Sequence, residues 1–217
     1  MARLELPFVV RSSVSSAKAL IERHRAVFQV RQLENSAGQG TQVQTEEKTQ
    51  FVPWDTTMGS RGVYVAYKPE LMELRDRGFG DLKADKLHFT PYESFYLLEK
   101  QKIKVYDRKS KRELELRDLV RKFSIGKPEI WIKYLVYRDL RDRGYIVRES
   151  NRAFDFDIYG KGPLRRLISI IYEGGEASLR KLGKLLKYSE NEKKELILAV
   201  VDRRTDIVYY TLSSLKV

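Results

Sequence analysis

The order of apolar runs in residues 129–217 constrains the fold more than any other feature of the chain. EIWIKYLVYRDLRDR at 129–143 sets Ile130, Tyr134, Tyr137 and Leu140 on one helical face at spacings of three and four, and Gly144 follows as a C-terminal cap. YIVRE and FDFDIY read as strands, and LISIIY at 167–172 as a buried strand. SLRKLGKLLKY at 178–188 is an amphipathic helix. ELILAVVD and DIVYYTLSSL form a terminal hairpin through the turn DRRTD. Helix, strands, helix, strands in this order predict a mixed sheet flanked by helices.

The preceding residues alternate strands and helices as well. LELPFVV at 4–10 and AVFQVRQL at 26–33 read as strands, with the short helix AKALIERH between them. Residues 34–50 are polar and predict a long loop. GVYVAY at 62–67 is a strand, and Pro69 starts a helix that Gly78 ends. TPYE at 90–93 carries the signature of a capping box: Thr90 caps, Pro91 takes the first helical position and Glu93 reaches back. KIKVYD at 102–107 is a strand and ELRDLVRKF a helix. IGKP at 125–128 breaks the pattern. The expected fold class is therefore α/β (α+β), with a mixed α/β domain over 1–126 and a C-terminal domain over 127–217.

Charge narrows the function. The chain carries 42 Lys+Arg against 30 Asp+Glu, a net +12, spread over both halves. Such a surface suits a polyanion, most often a nucleic acid. With no cysteine there is no disulfide framework, no Cys-ligated zinc and no cysteine nucleophile. No apolar run reaches a membrane span and the start of the chain has no signal-peptide core, so a cytoplasmic location is expected.

No single motif is a strong site. His24 and His88 are the only histidines, lie in separate elements, and read as ordinary surface or packed imidazoles. Metal and cofactor sites are not expected: two histidines lack supporting acidic spacing, and GFGD and YGKG lack the lysine and hydroxyl of a phosphate loop. Asp155 and Asp157 alternate with Phe154 and Phe156, which describes a strand with one wet face. Tyr159, Lys161, Arg165 and Arg166 suit a phosphate backbone, yet nothing among them exchanges a proton near neutral pH. Lys193 and Lys194 read as solvated lysines at a loop end or as a phosphate anchor. Glu173, Gly174, Gly175 and Glu176 form an exposed acidic loop, a plain turn or a plug for a partner's basic pocket.

The order FGDLKADKLHFTPYESFYLLEKQKIKVYD, IKYLVYRDLRDRGYIVR, FDFDIY, EKKELILAVVDRRTDIVYY resembles the archaeal tRNA-splicing endonuclease family over roughly residues 63–217. The resemblance implies an N-terminal α/β domain, a C-terminal nuclease-fold domain and assembly as dimers or tetramers. It implies metal-free cleavage of precursor tRNA at bulge–helix–bulge intron boundaries, in which a ribose 2′-OH attacks the adjacent phosphorus. Tyrosine, histidine and lysine serve that chemistry: proton removal, proton supply to the leaving 5′-oxygen, and a cation on the crowded phosphate. Tyr159 matches the family's tyrosine and Lys194 its lysine. The histidine should open the strand after Tyr159; Leu164 or a neighbour stands there, and 128–217 contain no histidine. Arg165 and Arg166 cannot replace it, because guanidinium stays protonated. Lys187 stands where the family has one of two base-sandwiching arginines.

The family's assembly features persist. The acidic loop Glu173–Gly174–Gly175–Glu176 matches one that docks into an opposing subunit. The terminal strand, with Tyr209, Tyr210 and Leu212, matches one that pairs two subunits. The resemblance therefore implies a structural subunit of a heterotetramer that pairs with a catalytic endonuclease subunit and helps hold precursor tRNA through Lys161, Arg165, Arg166 and Lys187. The alternatives are an active endonuclease in which His24 or His88 reaches the site, and a stand-alone RNA-binding protein of the same fold.

Overall fold

The computed structural model describes residues 28–32, 53–59, 62–150, 153–160, 165–173 and 178–214. The expected strand at 4–10, helix at 17–24 and loop at 34–50 lie outside them. The chain divides into two compact units, residues 35–142 and residues 1–34 together with 143–217. In chain order, strand β1 (Phe28–Gln32) belongs to the second.

The contiguous unit holds β2 (Trp54–Gly59), β3 (Gly62–Ala66), a 3-10 turn at Pro69–Leu71, α1 (Met72–Asp76), β4 (Asp81–Lys83), β5 (Lys86–Phe89), α2 (Pro91–Glu99), β6 (Ile103–Asp107), β7 (Glu113–Leu114), α3 (Leu116–Phe123) and α4 (Ile130–Asp142). Its six-stranded sheet runs β4-β5-β3-β2-β6-β7, with β2 and β6 parallel and every other pair antiparallel. One sheet face is apolar: Val63, Leu87, Phe89, Ile103, Val105 and Leu114 are all buried. Helix α2 packs on β3, β5 and β6 and also against α3 and α4. Phe95 lies edge-on to Tyr134 at 5.3 Å and to Phe123 at 5.7 Å.

The capping box forms as the sequence predicts. Thr90 Oγ1 accepts from the Glu93 amide at 3.3 Å, and Glu93 Oε2 accepts from the Thr90 amide at 2.8 Å. Glu93 is buried and does a second job: its Oε1 accepts from the Gly80 amide at 3.2 Å, tying the turn before β4 to the start of α2. At the far end of this bundle Glu99 accepts from the Tyr134 hydroxyl and from Arg138. Burial, then the Glu99 hydrogen bond, holds the Tyr134 phenol protonated far above its ordinary range. Burial and the Asp142 carboxylate likewise push Tyr96 up to about 12.

Sequence reading missed β2, the β4–β5 hairpin and β7. The hairpin turns at Ala84 (φ 45°) and Asp85 (φ 57°), left-handed residues without the glycine that usually announces such a turn.

The second unit holds β8 (Ile146–Glu149), β9 (Phe156–Tyr159), β10 (Arg166–Tyr172), α5 (Leu179–Asn191), β11 (Glu195–Val201) and β12 (Ile207–Ser214). Its sheet order is β1-β12-β11-β10-β9-β8, with β10 and β11 parallel. A parallel pair needs a crossover, and α5 supplies it. Leu182, Leu185 and Leu186 from α5 pack on Leu196, Leu198, Val200, Tyr210 and Leu212. Strand β9 begins two residues later than FDFDIY suggests. Asp155 does not sit on a wet face: its Oδ2 accepts from the Ile170 amide at 2.7 Å, and its own amide donates to Ile168.

Replacing Glu93 by Ala should cost about 2–3 kcal/mol, because it strands two amides, one of them buried. Thr90→Ala, which removes one cap acceptor, should cost about 1 kcal/mol. Urea denaturation of both variants checks the order; equal costs would mean that the Gly80 bond contributes nothing.

Candidate functional site

Strand register gathers the residues singled out at 159, 165, 166 and 194. Strand β9 runs antiparallel to β10, and β10 parallel to β11, so the end of β9 and the starts of β10 and β11 lie along one end of the sheet. Ile158 pairs with Arg166, and Arg166 with Glu195. One position beyond that row stand Tyr159, Arg165 and Lys194, in that order across the sheet. Two strand spacings put Tyr159 and Lys194 about 10 Å apart at Cα. The Glu195 amide donates to the Arg165 carbonyl at 3.1 Å, which continues the β10–β11 pairing into this row.

The Arg165 guanidinium lies 5.6 Å from the centre of the Tyr159 ring, which is 37% exposed. Cation–π attraction at such a partly wet site is worth about 0.5–1 kcal/mol. Lys194 leaves the tight turn at Lys193 (φ 54°), and its Nζ lies 3.5 Å from Glu192 with the side chain only 14% exposed. Arg166 is not free for a ligand: its Nε donates to Glu195 Oε2 at 2.7 Å, and both side chains are half-buried. Sequence reading missed Glu195 as that partner, because a single glutamate opening an apolar strand carries no signal of its own. Lys187 stands on the exposed face of α5, outside this row. Lys161 and Leu164 lie outside the described residues.

The expected exposed acidic loop is different in its first residue. Glu173 turns inward onto the β11–β12 turn: its Oε2 accepts from the Arg203 amide at 2.8 Å, its Oε1 lies 3.5 Å from Arg203 Nε, and the side chain is 13% exposed. Gly174, Gly175 and Glu176 lie outside the described residues. The terminal strand is likewise occupied within the unit. Tyr210 and Leu212 face the α5 core, and the Arg143 guanidinium lies 5.4 Å from the Tyr209 ring centre. The outer edge of β12 pairs antiparallel with β1, from Phe28↔Ser214 to Gln32↔Tyr210. His88 stands on β5 of the other unit; His24 lies outside the described residues.

The row can hold an anion: Arg165 and Lys194 are cations beside a phenol. Among its described members no side chain takes up and returns a proton as a histidine does. Among the described residues no helix is long and apolar enough to cross a membrane.

Glu173→Ala should loosen the β11–β12 turn and cost about 1–2 kcal/mol, since it removes a charge-assisted acceptor from the Arg203 amide. Thermal unfolding checks this; an unchanged midpoint would show that the turn holds itself.

Comparison with known proteins bears on both units. The family profile described as the tRNA intron endonuclease catalytic C-terminal domain matches residues 130–209, and the profile of the N-terminal domain of the same family matches residues 55–120. The tRNA-splicing endonuclease of Pyrococcus furiosus is 38% identical over 141 residues, 62% of this chain and 80% of that protein. That of Pyrococcus horikoshii is 35% identical over 144 residues, 65% of this chain and 84% of that protein. The longer tRNA-splicing endonuclease of Methanococcoides burtonii is 35% identical over 150 residues, 66% of this chain and 42% of that protein.

Proposed function

The chain belongs to the tRNA intron endonuclease family, and from that premise we propose that it is a structural, non-catalytic subunit of a cytoplasmic tRNA-splicing endonuclease. The observation that carries the reading is Arg165. In the row shared with Tyr159 and Lys194, the place between them holds a guanidinium lying over the Tyr159 ring. Transfer to a 2′-oxygen needs one group that removes its proton and one that protonates the leaving 5′-oxygen. Guanidinium keeps its proton at every accessible pH and does neither. Arg165 and Lys194 still suit a phosphate, so the row keeps an electrostatic grip on RNA without the acid–base step.

Such a subunit pairs with a catalytic chain, two of each, and shares the hold on precursor tRNA. Docking would use the loop through Glu176 and the terminal strand. The β12 edge already carries residues 28–32, so strand addition there exchanges one strand for another. Because Glu173 also ties the β11–β12 turn, Glu176→Lys is the cleaner test of loop docking. It should weaken co-sedimentation with the catalytic chain by setting like charge against a basic cleft.

A second reading, an active endonuclease, is favoured by the retention of both Tyr159 and Lys194 in one row. The two readings diverge on a bulge–helix–bulge RNA in the presence of chelator. The structural reading expects no cutting by this chain alone and cutting once a catalytic chain is added. It also expects Tyr159→Phe and Lys194→Ala in this chain to change the reconstituted turnover at saturating RNA by less than about threefold, the loss of the Lys194 cation being felt in RNA affinity alone. An active site would lose roughly 100-fold or more from either substitution. Cutting by the isolated chain would overturn the structural reading.

A further inference from the structure

The sheet of the contiguous unit has a second face, opposite the one that carries Val63, Leu87 and Phe89. The register across β4, β5 and β3 is Asp81↔His88↔Tyr64 in one row and Lys83↔Lys86↔Ala66 in the next. Side chains directly across a ladder project to the same side, so Tyr64, His88, Lys83 and Lys86 share one face. The alternate residues Val63, Leu87 and Phe89 fill the core on the other. The first row continues through Thr57 on β2 to Tyr106 on β6.

This face is concave and chemically mixed. Tyr64, His88, Lys83, Lys86 and Arg108 line a cavity of about 580 Å³. The Tyr64 and His88 rings lie 5.7 Å apart with a 36° tilt, and Lys86 Nζ lies 4.9 Å from the Tyr64 ring centre. Among the described residues Lys83, Lys86 and Arg108 have no carboxylate partner. Asp81 lines the same cavity, and Asp55 and Glu113 lie on the same face across from Lys104 and Tyr106, so carboxylates interrupt the charge; Lys83 and Lys86 stand to one side of the Tyr64 row and Arg108 to the other. Half-buried rings bordered by cations that no carboxylate neutralises are what unpaired nucleotides need: a base stacks on the ring while the backbone meets the charge. A duplex keeps its bases stacked on one another and offers only phosphates.

We propose that this face of the contiguous unit binds a single-stranded RNA segment, with a base stacked on Tyr64 beside His88 and its flanking phosphates on Lys83, Lys86 and Arg108. The proposal rests on the reading of the chain as a holder of precursor tRNA and assigns the unpaired part of that RNA to a second site. It predicts that affinity depends on ring area at position 64 and on salt through the lysines.

The test uses the full chain, alone and with its catalytic partner, and three fluorescent probes: a ten-nucleotide oligouridine, a ten-base-pair RNA duplex and a bulge–helix–bulge precursor. Tyr64→Ala should weaken oligouridine binding roughly tenfold, Tyr64→Phe should restore it to within about twofold, and the duplex should respond to neither. Lys83→Ala with Lys86→Ala should lower the slope of log affinity against log salt by about 1.4, the share of two phosphate contacts on a single strand. The proposal is overturned if precursor binding persists while all these variants hold oligouridine like the parent chain; the tRNA-holding reading would then survive without this site. Failure of the parent chain to bind any probe, with or without the partner, would overturn both. Loss of partner co-sedimentation with RNA affinity unchanged would assign the face to a protein and also overturn the proposal.

Discussion

The second unit depends on the parallel pairing of β10 with β11. That pairing demands a crossover, and the amphipathic α5 fills the demand with Leu182, Leu185 and Leu186 set into the sheet. It also aligns the starts of two strands, and the antiparallel β9 brings its end to the same place. Tyr159, Arg165 and Lys194 are far apart in sequence and meet because of this topology alone. The Arg166–Glu195 ion pair, one row in from the end, bridges the two parallel strands by side chains where the ladder begins. A chain that kept the helix but reversed one of these strands would carry the same residues to opposite ends of the sheet.

Much of the architecture was legible in the sequence because its signals are local. The TPYE box, the spacing of Ile130, Tyr134, Tyr137 and Leu140, and the paired apolar runs before and after DRRTD all became the elements they described. The missed pieces lack such signals. Strands β4 and β5 are short and join through Ala84 and Asp85, and β7 is two residues long. The parallel register was not legible, since nothing in an apolar run states the direction of its neighbour.

The site divides in the same way. Residue types marked Tyr159, Arg165, Arg166 and Lys194 as phosphate-facing, but their commitments came only with structure: Arg166 to Glu195, Glu173 to Arg203, Asp155 to the β10 amide. An isolated charge in a sequence does not say whether it is spent inside the fold. Conversely Lys83, Lys86 and Arg108 carry no signal of their own in the sequence, and only the folded sheet sets them around Tyr64 and His88. The positive charge thus has two kinds of member, those that pair with carboxylates inside the fold and those that no carboxylate neutralises.

Strand β1 sets a clock on synthesis. Its partner β12 is made much later, because the whole contiguous unit lies between them. At about 5–20 residues per second, the β1 segment emerges on the order of ten seconds before the strand it pairs with exists. Residues 35–142 have all their own strands in that interval and can close without waiting. The nascent chain therefore carries a finished body behind an unmatched strand, and the second sheet can be completed only after residues 207–214 have emerged.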